Sequence, residues 1–136
     1  MIEDLNFENF FFVSLTYGNA KKNQLVIAKN IKDTLETIKE EFEYANILAI
    51  ISLQELYELD SLITQKPNLI FGLSFNENKD MIISELNMLE INSNVRNDEK
   101  QMLILEREEI KAMIGFSLSW LSKNNDIPLI SKNMLL

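Results

Sequence analysis

Short apolar runs alternate along this chain with longer stretches in which apolar residues return every three or four positions. The two patterns belong to different backbones. The runs are of strand length, and the longer spacing marks one face of a helix. Phe10–Tyr17 is rich in β-preferring side chains and stops at Gly18-Asn19, a turn signal. Segment 24–28 reads either as the second strand of a hairpin or as the first turn of a helix. From Ile31 the pattern is helical, with Ile31, Leu35, Ile38 and Phe42 on one face and Asn30 as N-cap. Segment 46–51 has no polar alternation after Asn46, which suits a strand buried on both faces. Ser52-Leu53-Gln54-Glu55 is a capping box and predicts a helix over 53–64, with Leu53, Leu56, Leu59, Leu62 and Ile63 inward.

Segment 68–73 reads as another inner strand. Ser74-Phe75-Asn76-Glu77 repeats the capping-box spacing, so a helix is expected to continue to about Leu89, with Met81, Ile82, Leu86 and Leu89 inward. A polar loop at 92–97, a core strand at 101–105 and a helix over 107–123 follow. Segment 127–130 suits a short last strand, at a sheet edge because Pro128 cannot donate to a ladder. Strands alternating with helices imply an α/β fold. The expectation is an α/β sandwich over 1–136 as one globular domain. It has a mostly parallel or mixed sheet of roughly four to six strands, packed with about four helices.

The chain has no histidine, no cysteine and three glycines. That removes the commonest general acid/base, the thiolate nucleophile and ordinary zinc or thiolate-metal sites. No Gly-Lys-Ser/Thr ending or three-glycine fingerprint is present. Ser52 and Ser74 follow apolar runs, but both have a capping explanation and no histidine to activate them. The expectation is a protein that is not an enzyme and uses no cofactor and no metal. No apolar run reaches the roughly 18–20 residues that span a bilayer. The acidic start, Met1-Ile2-Glu3-Asp4, does not suit a secretory signal. A cytoplasmic setting follows as an expectation, consistent with the lack of cysteine.

The net charge is −8, and most of it falls in the first half, with 11 acids against five bases over 1–65. Such a field disfavours direct nucleic-acid binding and favours a basic partner. Glu36, Glu40, Glu41 and Glu43 sit on or after the first helix, and Glu55, Glu58 and Asp60 on the second. Together they are the candidate partner-binding patch. The alternatives for these carboxylates are a solvated face or a catalytic or metal-binding pair.

The 107–123 helix carries no charge from Ala112 to Ser122. One arc of it is apolar, and the opposite stripe holds small residues, Ala112, Gly115, Ser119 and Ser122. A surface helix normally carries charge on its outer face. So the helix is expected either to pack between the sheet and the tail 127–136 or to form a homodimer interface through Gly115, Phe116, Leu118, Ser119 and Trp120. The loop 18–23, with Gly18, Asn19, Lys21 and Lys22, is a weak phosphate candidate, against the plainer reading of a solvated turn. Two functions therefore compete. One is a small acidic protein-interaction module of adaptor, chaperone, inhibitor or immunity type. The other is a small-molecule or phosphate-binding α/β domain with its site at loop 18–23.

Overall fold

A computed structural model describes residues 7–75, 81–86, 103–122 and 128–134. They form two sheets and three helices, a mixed α/β architecture. Strand β1 (Phe10–Tyr17) is central in the first sheet, where Phe11, Phe12, Val13, Ser14 and Leu15 are all buried. It turns through Gly18-Asn19 into antiparallel β2 (Ala20–Ile27), with Tyr17 opposite Ala20. Gly18 has φ +63°, the positive φ that a two-residue hairpin loop of type II′ asks of its first central residue. The ambiguous segment 24–28 is therefore strand through Ile27.

Helix α1 (Ile31–Glu41) follows, capped by Asn30, whose Oδ1 accepts from the Asp33 N–H at 2.8 Å. Strand β3 (Asn46–Ser52) then pairs antiparallel with the other side of β1. Its register shifts by one residue between Ser14 opposite Ala49 and Leu15 opposite Ile47, leaving Leu48 as the extra residue of a bulge. The bulge lets Ile47 and Ile50 share the face toward α1, while Ala49 and Ile51 point the other way.

Helix α2 (Leu53–Gln65) starts where the capping box predicts. Ser52 Oγ accepts from the Glu55 N–H at 3.1 Å and donates to Glu55 Oε1 at 3.4 Å. Helix α3 (Arg107–Ser122) packs beside α2. Alternation along the strands sorts the core into two layers. Phe11, Val13, Leu15, Val26 and Ile50 meet Ile38 and the apolar face of α1. Phe12, Ala49 and Ile51 meet Leu53, Leu56, Leu59 and Ile63 of α2 and Ile110 and Met113 of α3.

The expected α/β sandwich, with one mostly parallel or mixed sheet and about four helices, holds in its mixed α/β content. It is corrected in two respects among the described residues, which hold two sheets and three helices. Strands β4 (Ile70–Phe75), β5 (Met81–Leu86) and β6 (Leu103–Leu105) form a separate antiparallel sheet in the order β5-β4-β6. The first sheet, ordered β3-β1-β2-β7, is the mixed alternative: β1 pairs antiparallel with β2 and β3, and β7 (Leu129–Ile130) runs parallel to β2. Finally, the helix expected from Ser74 to Leu89 is replaced by the β4–β5 hairpin. Ser74 lies inside β4 opposite Ile82, and Met81 and Ile83 pack alternately against the core that holds Phe71 and Leu73. Packing of Met81 and Ile83 with Phe71 and Leu73 on that core outweighs a capping signature that rests on Ser74 and Glu77. Asn76 and Glu77 of that signature, Leu89 and the loop 92–97 lie outside the described residues.

The last strand sits at the edge, as the proline requires. The segment after it docks on the α1 side rather than over α3. The Ser131 N–H donates to Ile27 O at 2.8 Å, and Asn133 Nδ2 donates to Asp33 Oδ1 at 2.8 Å. The expected packing of α3 between sheet and tail is not found among the described residues.

Candidate functional site

Helix α1 covers one face of the four-stranded sheet and turns its acids outward. Glu36, Glu40 and Glu41 on the helix and Glu43 just after it are all exposed. The helix ends where the Phe42 N–H donates to Ile38 O at 2.7 Å, and the Ala45 N–H closes a tight turn on Phe42 O at 3.1 Å. Tyr44 in that turn has φ +68° and is 94% exposed. A bulky residue at positive φ is uncommon, and here the turn sends an aromatic ring into solvent. Tyr17, at the end of β1, meets the Phe42 ring edge-on at 5.5 Å. Lys22 Nζ lies 5.6 Å from the same ring centroid, within cation–π range. Exposed aromatic surface and carboxylates thus share one end of the first sheet.

The second acidic set is elsewhere. Since α1 and α2 pack on opposite faces of the sheet, Glu55, Glu58 and Asp60 do not join Glu36, Glu40, Glu41 and Glu43 in one patch. Glu58 is exposed and accepts from Gln54 Nε2 at 3.2 Å. Glu55 is half-buried, and desolvation holds its pKa above the usual carboxylate value. The Ser52 hydroxyl works against that shift, and the Glu58 charge adds to it. Asp60 Oδ1 is buried and finds no hydrogen-bond partner among the described residues.

Strands β2 and β3 both run antiparallel to β1, so α1 and α2 begin at the same end of the sheet. There an open cleft of about 530 Å³ is lined by Glu8, Phe11, Asn30, Ile31, Lys32, Ser52, Gln54 and Glu55. Helix N-termini favour negative charge, whereas Glu8 and Glu55 oppose it. Sequence reasoning identified both caps but missed the cleft. Its signal was the pair Asn30 and Ser52, each following a strand, once the shared direction of those strands is known.

Loop 18–23 is not a loop. The turn contains only Gly18 and Asn19, and Lys21 and Lys22 are already in β2. Adjacent strand residues point to opposite faces, so the two ammonium groups do not converge on one phosphate.

On α3 the five interface candidates divide. Phe116 packs edge-on against Phe12 at 5.6 Å and meets Trp120 at 5.2 Å, so both rings belong to the interior side. Trp120 Nε1 is buried without a hydrogen-bond partner among the described residues. Ser119 is half-buried. Gly115 and Leu118 face outward, with Leu118 43% exposed and nothing within 4 Å of a Cβ built on Gly115.

Among the described residues no three potential ligands gather at a metal-binding distance, and no helix is long and apolar enough to cross a membrane. Comparison with known proteins finds no match: no family model fits the chain, and no curated protein or solved structure aligns with it significantly.

Proposed function

We propose that this chain is a protein-interaction module whose α1 face receives a basic partner. The observation that carries the reading is the coincidence of exposed Tyr17 and Tyr44 with Glu40, Glu41 and Glu43 at one end of the sheet. Tyrosine provides large contact area at low entropic cost, and it stacks with arginine. Carboxylates around it steer a cationic surface into place and repel acidic competitors. The reading is of adaptor or inhibitor type and assigns no chemistry to the chain.

A lysine–arginine peptide titrated against the protein tests it, with fluorescence anisotropy as readout. The triple variant Glu40→Gln/Glu41→Gln/Glu43→Gln is expected to bind about tenfold more weakly at low salt, with the difference shrinking in high salt. Glu58→Gln, on the opposite side of the sheet, is the control and is expected to change binding by less than about twofold. Equal losses in the triple variant and the control would remove the reading.

A second reading, small-ligand binding, is supported by the cleft at the N-termini of α1 and α2 rather than by the Gly18 turn. A thermal-shift screen with nucleotides and phosphorylated metabolites addresses it, since a ligand bound only by the folded state raises Tm.

A further inference from the structure

The segment 129–134 returns to β2 and α1, where Leu129 packs against the α1-side core and Ser131 is buried. Only short stretches of hydrogen bonding tie it there among the described residues. Among the described residues, Leu129 and Ile130 pair with Val26 and Ile27 only. The Ser131 N–H adds one bond to Ile27 O. Pro128, just before the strand, has no N–H to extend the ladder. Beyond the ladder, Asn133 Nδ2 donates to the carboxylate of buried Asp33, and Lys132 Nζ lies 3.1 Å from Glu40 Oε1. Asp33 and Glu40 are seven residues apart, so they share one stripe of α1. The turn Lys132–Met134 lies along that stripe.

We infer that residues 129–133 are a releasable strap that holds Lys132 on the acidic face of α1 as an internal competitor for a basic partner. The inference rests on the reading of that face given above. Lys132 is the kind of group such a partner would bring, and it already engages one of the acids that would receive it. Asn133 supplies the placement: latched to Asp33, it sets its neighbour opposite Glu40. Both members of the ion pair are largely exposed, so a partner's cation can displace Lys132 without unfolding the helix. The strap then remains held by Asn133, the Ser131 amide, a two-residue ladder and the contact of Leu129 with the α1-side core. It is a small unit of the kind that opens locally while the rest of the core stays closed.

The full-length protein, a fluorescent lysine–arginine peptide and residue-resolved amide exchange test this. Lys132→Ala is expected to bind the peptide about two- to fivefold more tightly than the parent. Asn133→Ala, which changes no charge, is expected to tighten binding in the same direction. It should also speed exchange of the Ser131 amide while leaving that of Val13 unchanged. Lys66→Ala removes the same charge from the end of α2 on the opposite face and is expected to shift binding by less than about twofold. Suppose the parent, Lys132→Ala and Asn133→Ala bind equally while Glu40→Gln still weakens binding. The strap then has no competitor role, and the reading of the acidic face survives. Ser131 exchanging no faster in Asn133→Ala than in the parent would also overturn the strap. If no variant binds the peptide, both ideas fall.

Discussion

Single side chains in this fold carry separable consequences. Glu55 has a raised pKa because burial penalises its charge. The folded protein therefore holds that proton more tightly than the unfolded chain, so stability falls as pH rises from the ordinary value of 4.5 through the raised folded value. Glu55→Gln keeps the acceptor for Ser52 and removes the charge. It is expected to flatten that part of the pH profile and to be the more stable form at neutral pH, read by urea denaturation at several pH values. Asp60 sits on the apolar side of α2, between Leu56 and Ile63, with one oxygen buried and unpaired among the described residues. Asp60→Leu is expected to raise stability by about 1 kcal/mol in the same assay, since an unmet buried acceptor costs about 1–3 kcal/mol. Gly115 is the other residue expected to improve on replacement. Glycine costs a helix interior about 1 kcal/mol relative to alanine, and an added Cβ meets nothing there. Gly115→Ala should therefore raise Tm by several degrees.

At the scale of elements, α3 illustrates how far a wheel projection reaches. The uncharged stretch from Ala112 to Ser122 was visible, and so was its division into an apolar arc and a small-residue stripe. Which aromatic side chains the fold would take inward was not visible. Phe116 sits on Phe12 because β1 places that ring on the α2–α3 face, a fact set by strand register more than a hundred residues earlier. Trp120→Ala is accordingly expected to destabilise the fold by about 3 kcal/mol. Leu118→Lys, on the outward face, should change stability by less than about 0.5 kcal/mol. Sedimentation of Leu118→Lys beside the parent checks the expected dimer separately, because only self-association through that face would make the two differ. The capping boxes teach a related lesson. Ser52 and Ser74 carry the same local signature, yet only Ser52 caps a helix. After Ser52, Leu53, Leu56, Leu59 and Ile63 recur at helical spacing on a single core, while Leu62, expected inward with them, is 47% exposed. After Ser74, Met81 and Ile83 find partners at strand spacing across β4, and long-range pairing decides.

At the scale of the whole molecule, alternation of runs and amphipathic stretches was enough for an α/β fold and for the positions of α1, α2 and α3. Strand direction was not legible, because a helical connection does not by itself say whether the next strand lies beside the last one or across it. Here β3 crosses to the far side of β1 and runs against it, and the second sheet folds on itself. The acidic residues were legible as a set but not as two sets, since their separation follows from α1 and α2 lying on opposite faces. With a net charge of −8, the folded state is also strained by self-repulsion. Raising sodium chloride from low ionic strength is expected to increase Tm, and the triple variant on α1 should show less of that gain.

The register of the sheet edge also sets an order of events during synthesis. Val26 is paired with Leu129, and Asp33 with Asn133. The β1–β2 hairpin, α1 and β3 all lie within residues 10–52, so a ribosome can deliver them as one early unit. The residues that will border β2 are translated only after the second sheet and α3. Until then the outer edge of β2 at Val26 and Ile27 lacks its own partner, and another polypeptide could add a strand there before Leu129 and Ile130 arrive.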